Sequence, residues 1–274
     1  MIKVKIVFLF VSFCLFPSFI FAEETSKVPT FSNLDVINEV VFAEEKESKM
    51  PNLVGLGIGI SESVYKGVDT SIYPLPIISW KQDNFFISGT KAGYIVKRFD
   101  DFSLSIYLTP HLMGYKDSDS DDLNGMDHRN GSLDGGIGID YIAKQFFDIK
   151  FSTNVTFDLL SEYEGYEFKF GASKLFDFKP LFIKPSAGIN WQSENTIDYY
   201  YGVRVDEITA VRSIYSGDSA FNYGFQLDFY FALSKEWMII SSVGVDFLGD
   251  EISDSPIVDE SHTLSALIGI ARMF

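Results

Sequence analysis

The chain has 274 residues and carries 38 Asp and Glu against 22 Lys and Arg, a net charge of -16 at pH 7 that argues against nucleic acid as a partner. Aromatic residues make up 16% of it, with 27 Phe and 14 Tyr, a high share for an acidic chain. The single cysteine, Cys14, excludes an intramolecular disulfide and a cysteine-based metal cluster.

The first residues read MIKVKIVFLFVSFCLFPSFIFA: a short basic end at Lys3 and Lys5, an apolar core from Ile6 to Phe21 broken by Pro17, and the small residue Ala22 before the sequence turns acidic at Glu23. This is the layout of a secretory signal peptide over residues 1–22. A retained membrane anchor is the alternative, but the apolar run is short for a span. Lipoprotein processing at Cys14 is disfavoured by the bulky Phe13 beside it. Loss of 1–22 removes Lys3 and Lys5 and takes the net charge from -16 to -18. Residues 23–50 are Glu-rich and without pattern, and read as a flexible acidic tail in which FAEETSK nearly recurs as FAEEKESK. No later stretch approaches the ~18–20 consecutive apolar residues of a transmembrane helix.

From residue 51 the hydrophobic period becomes two. In SAFNYGFQLDFYFAL, Phe221, Tyr223, Phe225, Leu227, Phe229, Phe231 and Leu233 share one face, while Asn222, Gly224, Gln226, Asp228 and Tyr230 share the other. FDIKFSTNVTFDLL (147–160) and IDYYYGVRV (197–205) alternate in the same way. About twelve such segments lie near 52–60, 70–80, 85–96, 102–114, 132–143, 147–159, 166–176, 181–192, 197–206, 220–232, 237–248 and 262–274. Most have the roughly ten residues that a tilted strand needs to cross a bilayer. A soluble sandwich or lipocalin-like barrel also alternates, but it packs its apolar face inward. Here that face is crowded with Phe, Tyr and Trp, and the other is too polar for a core. The expected fold is therefore an all-β transmembrane antiparallel barrel over 51–274, closed because an open edge in lipid leaves backbone groups unpaired. Trp80, Trp191, Trp237 and Tyr115 are expected in the interfacial girdles.

Several stretches resemble the MipA/OmpV family of Gram-negative outer-membrane proteins: VGLGIGISESVYKGVDTSIYPLPIISW (54–80), FFISGTKAGY (85–94), LNGMDHRNGSLDGGIGIDY (123–141), DYYYGV (198–203) and LGDEISDSPIVDE (248–260). Their order and spacing carry the resemblance. It implies an outer-membrane barrel in contact with outer-membrane lipid and lipopolysaccharide, acting as a scaffold between a periplasmic murein hydrolase and a murein synthase in peptidoglycan remodelling. Other members are described as porin-like proteins or adhesins. The resemblance brings no catalytic, cofactor-binding or metal residues, so no cofactor and no enzyme activity are expected. The C-terminal stretch also resembles the signal read by the barrel-assembly machinery, with Gly269 and Phe274 in place and Arg272 where an aromatic is usual.

Three features invite other chemistry. KDSDSDDLNG (116–125) has alternating Asp117, Asp119 and Asp121, but an EF-hand needs Gly at Asp122 and Glu at His128, so a solvated acidic loop is the better reading. His111, His128 and His262, with Ser261 or Ser265, are the material for a Ser–His hydrolase, without a supporting pattern. Lys150, Lys169, Lys184 and Arg204 oppose Asp140, Asp158, Asp228 and Asp246 on the lumen phase, as an internal brace more than a selective filter. Twelve strands with both ends in the periplasm put the longest loop, 115–131, on the periplasmic side, where it is the leading candidate to meet partners; a miscounted strand is the alternative.

Overall fold

Alternation of period two runs through almost every segment that becomes a strand. The computed structural model describes residues 52–274; the expected signal segment 1–22 and acidic tail 23–50 lie outside the described residues. In chain order the strands are β1 (Leu53–Ser61), β2 (Ser71–Gln82), β3 (Phe85–Ser88), β4 (Lys91–Arg98), β5 (Phe102–His111), β6 (Ser132–Ala143) and β7 (Ile149–Asp158). Then follow β8 (Tyr166–Ser173), β9 (Phe176–Phe178), β10 (Leu181–Gln192), β11 (Ala220–Ala232), β12 (Trp237–Phe247) and β13 (His262–Met273). All pairings are antiparallel between sheet neighbours, and β1 pairs with β13, so the sheet closes on itself. β8 and β9 are one stave: Ser186↔Ser173 and Ile183↔Phe176 keep a single register. The break falls opposite Pro185, which accepts from the Lys174 N–H at 3.2 Å but has no N–H to return. The barrel thus has twelve staves.

Two expected strands are corrected, and the errors cancel in the count. Segment 85–96 is a hairpin of two strands, β3 and β4, turning at Gly89 with φ 56°. Segment 197–206 is not a strand: Glu194–Tyr201 is a helix, α1, that buries Thr196, Ile197, Tyr200 and Tyr201. Three consecutive tyrosines put an aromatic on every face, so IDYYY fits both periods. Between the two corrections every stave reverses direction. The connection 112–131 therefore lies at the same end as 62–70, 159–165, 193–219 and 248–261, not at the opposite end with the short turns. Its candidacy as a periplasmic contact surface falls with that correction, because long loops of such barrels face outward.

The alternation is inside-out. Leu56, Phe221 and Ile268 are 64%, 64% and 62% exposed, while Asp228 and Asn222 on the other phase are 1% and 8% exposed. Trp237 is exposed near the short turns, and Trp191 stands between Tyr166 and Phe221 near the long connections, as girdle residues do. Tyr115 does not: it is buried under the long connections. Arg272, on the lipid-facing phase, forms an ion pair with Glu236 at 3.0 Å beside Trp237, its partner in register.

The closing seam is glycine-lined. Gly55, Gly57 and Gly59 of β1 alternate with the exposed Val54, Leu56, Ile58 and Ile60, leaving lumen space that Tyr73 and Ile77 fill. A Cβ on Gly55 would lie 2.1 Å from the Ile270 carbonyl oxygen, a backbone atom that the paired strand cannot withdraw. Around the seam Leu53, Leu75, Ile77, Tyr230, Met238 and Ile240 form an apolar cluster, so one side of the lumen is filled rather than wet.

A dome closes the long-connection end. All five connections feed one buried cluster, including Tyr65, Tyr115, Leu123, Tyr163, Ile197, Tyr201, Ile252 and Ile257. Arg129 and Glu207 pair inside it at 2.8 and 3.0 Å, almost wholly buried, and tie 112–131 to 193–219. Arg212 adds bonds to the carbonyls of Glu207, Asp122 and Asn124. The five connections hold nineteen Asp and Glu against five Lys and Arg. Burial pushes the Glu207 carboxyl up, but the N–H groups of Arg204 and Asp127 and the Arg129 guanidinium outweigh it and hold Glu207 below its ordinary value of 4.5.

Two outcomes follow. Gly55→Val should cost about 1–3 kcal/mol through overpacking at the seam, read as loss of the compact, heat-modifiable band after refolding in detergent; an unchanged band would contradict the seam geometry. Arg129→Ala leaves Glu207 buried and unpaired, a loss of about 3–5 kcal/mol, and should expose 112–131 to protease while the strands persist. Because the folded Glu207 carboxyl titrates below its unfolded value, its support for the dome is complete above that value and disappears as pH falls through the lower one. Protease protection of the dome should therefore hold from neutral pH to about 5 and fall below about 4.5, and Glu207→Gln should remove that dependence.

Candidate functional site

Beneath the dome the polar side of the lumen encloses a cavity of about 230 Å³, walled mainly by β5–β8, β10 and β11 and roofed by Met113, Tyr201 and Leu248. A second cavity, of about 90 Å³, lies toward the short turns against β3–β7. Lys91, Tyr107, Ser152 and Asn154 line both. The Tyr107 hydroxyl donates to Asn154 Oδ1 at 2.9 Å, and the Lys91 ammonium lies 5.0 Å from the Tyr107 ring centre. This contact is the partition between the two chambers.

The charges expected in the lumen are brought together in part. Lys184 pairs with Asp228 at 3.1 Å, and Asp228 also accepts from Ser242 at 2.7 Å and Gln226 at 2.6 Å. Lys150 pairs with Asp140 at 3.1 Å. Lys169 meets Glu167 at 3.3 Å, a partner two residues away on its own strand rather than one of the four expected aspartates. From Glu167 a ladder runs through Gln192 (2.7 Å) and Asn222 (2.8 Å) to the Gly249 N–H (2.9 Å), joining the wall to the dome. Asp246 also lines the upper cavity. Arg204 is not in the lumen; it sits in the dome, 3.1 Å from Asp127. Asp158 accepts from the Ser132 hydroxyl and from the N–H groups of Leu160, Tyr163 and Glu164, fastening a connection rather than facing a path. Such ladders are rigid because every member is held by the next.

The three histidines stand on separate elements. His111 Nδ1 lies 2.9 Å from Asp134 Oδ2, with its ring stacked on Tyr200 at 5.3 Å, and its Nε2 meets no serine hydroxyl. His128 is exposed in 112–131, and His262 lies 6.2 Å from the Phe247 ring. Neither Ser261 nor Ser265 completes a nucleophile–base pair with His111. In the acidic run, Asp119 is buried and accepts the Lys116 N–H at 2.8 Å, while Asp117, Asp121 and Asp122 are exposed. Among the described residues no group of three or more His, Asp or Glu is assembled as a metal ion requires. The sequence signals the dome only through the aromatic crowding of connections such as NTIDYYYGV, and the partition, made by single residues of β5 and β7, leaves no pattern in it.

The family model described as MltA-interacting protein MipA matches residues 54–274. The chain is 28% identical over 225 residues to the MltA-interacting protein of Escherichia coli (strain K12), covering 81% of this chain and 89% of that protein. It is 30% identical over 181 residues to the outer membrane protein OmpV of Vibrio cholerae serotype O1, covering 65% of this chain and 68% of that protein. Among solved structures, the CymD monoaromatic hydrocarbon channel aligns with a TM-score of 0.42 at 10% identity, over 83% of this chain and 90% of that one. With an inside-out closed barrel and a family match running the length of its strands, the chain is an outer-membrane β-barrel belonging to the MltA-interacting protein MipA family.

Proposed function

We propose that this barrel is a non-enzymatic scaffold that links a murein hydrolase and a murein synthase in peptidoglycan remodelling. The dome carries the reading: five connections packed into one buried cluster close the lumen at one end, so passage through that end needs the dome to move. The name of the Escherichia coli relative, an MltA-interacting protein, supports a hydrolase partner. In this reading the partners meet the rim of short turns, on the side from which residue 52 continues into the acidic stretch 23–50. That stretch, on the mature side of a signal peptide cleaved after residue 22, offers negative charge to a basic partner surface.

A second reading, a small channel, is favoured by the two chambers that share the Tyr107–Asn154 wall. Planar-bilayer recording separates the two. The scaffold is expected to give no reproducible steps, and the doubly altered Arg129→Ala, Tyr107→Ala chain, with dome and partition both weakened, is expected to conduct. Steps of uniform size from the unaltered chain would favour the channel. Crosslinking from intact cells should recover a murein hydrolase, and removing 23–50 should weaken that recovery; recovery of no murein enzyme would sink the scaffold reading.

A further inference from the structure

Hydrocarbon offers nothing to a backbone N–H or C=O, so the wall of a membrane barrel should have no open edge. This wall has a break. β3 pairs with β2 only from Ser79 to Gln82. The Gly89 N–H then reaches the Ile78 carbonyl at 2.8 Å, and from there up to Ser71 no strand pairs with that edge of β2 among the described residues. Across the break, β5 is paired with β4 up to Leu108↔Ala92 and runs on through Thr109, Pro110 and His111 with β6 alone. The turn at Gly89 and Thr90 bounds the opening below, where the Thr90 and Thr109 hydroxyls lie 3.3 Å apart.

Prolines stand on both edges of it. Alternate residues of an antiparallel strand direct their backbone groups to alternate neighbours. Ile78 bonds toward the β3 side, so Pro76, Pro74 and Ile72 direct theirs the same way, into the opening. The Phe102 carbonyl accepts from Phe99 on the β4 side, so Pro110 shares that side. Three residues without an N–H therefore occupy positions where an N–H would have no strand to meet. Proline edges also resist the addition of a further strand, which disfavours a partner's strand or a second copy as the occupant.

The opening lies at the height of the lipid-facing band. Ile58 and Ile60, the register partners of Pro74 and Ile72, are 53% and 42% exposed, and Ile106 and Leu108 of β5 are exposed across the break. The upper cavity reaches the β5 side of the opening, where Thr90, Thr109, Pro110 and Leu112 line it. Leu112 and Tyr73 pack against the apolar cluster beside the seam. Apolar surface at the mouth and amides, carboxylates and ammonium groups within match one kind of molecule.

We propose that this break is a lateral portal that admits a single-chain amphiphile, its polar end in the cavity and its chain in the bilayer. The full chain in lipid nanodiscs is titrated with 11-(dansylamino)undecanoic acid, and refolding of each variant is checked by heat-modifiable migration. Saturable dansyl emission is expected. Leu112→Trp, or Thr90→Phe if the first does not fold, should weaken binding at least tenfold, while Val243→Trp on the outer face of β12, which lines neither cavity, should leave it unchanged. Probe preloaded into the lipid should bind faster than probe delivered from water if the bilayer is the source; faster delivery from water that still responds to Leu112→Trp places the source outside the membrane and keeps the portal. Unchanged binding in the blocking variants overturns the proposal. So does equal affinity for dansylglycine, which lacks the chain, or loading from water that responds only to Arg129→Ala.

Discussion

The wall of this molecule is built to give backbone N–H and C=O groups partners where hydrocarbon offers none, and where it opens, between β2 and β5, prolines remove the N–H instead. Hydrogen-bonded strands meet that demand only if the sheet closes, and closure rests on the nine register pairs between β1 and β13. Those pairs bring two backbones together across a seam where the lumen face of β1 is glycine after glycine. The small residues do not weaken the seam. They make room for Tyr73 and Ile77, so apolar packing inside reinforces hydrogen bonding in the wall.

The interior then divides by composition. On the seam side it is a packed apolar core, and on the opposite side it is a network of ion pairs and amides around two chambers. The network extends into the dome through Gln192, Asn222 and the Gly249 N–H, so wall and roof are mechanically one unit. The dome itself inverts the usual economy of a loop. Glu207 and Arg212 are buried and bonded, while Val205 and Val211 of the same connection are 73% and 93% exposed.

Much of the architecture is legible in the residues, because a membrane strand must alternate and a lipid-facing phase must be apolar throughout. SAFNYGFQLDFYFAL states both facts in fifteen residues, and β11 follows it with every expected face. Segments that serve both periods are not legible: the tyrosine run of α1 reads equally well as a strand and as a helix. The split at Gly89 hides for another reason, since two short strands with a tight turn keep the alternation of one long strand. Together these errors leave the count intact while reversing the direction of the staves between them, which is why the expected topology puts 115–131 at the periplasmic end and the structure puts it with the long connections. The site is less legible than the fold. Lys184 with Asp228 and Lys150 with Asp140 follow from their shared phase, but the partition at Tyr107 and the pair of Arg129 with Glu207 join residues 47 and 78 positions apart, beyond any local pattern.

The charge of the dome has a consequence for how the barrel comes to rest. Nineteen carboxylates against five cations sit on the long connections, and the short-turn end has no comparable excess. Each ion taken through hydrocarbon without a partner is costly. The folded barrel can slide and rotate in the plane of the membrane, but turning over would drag that whole anionic cap through the bilayer. The dome therefore acts as a ratchet: once its residues have crossed during assembly, the orientation of the barrel is kinetically permanent.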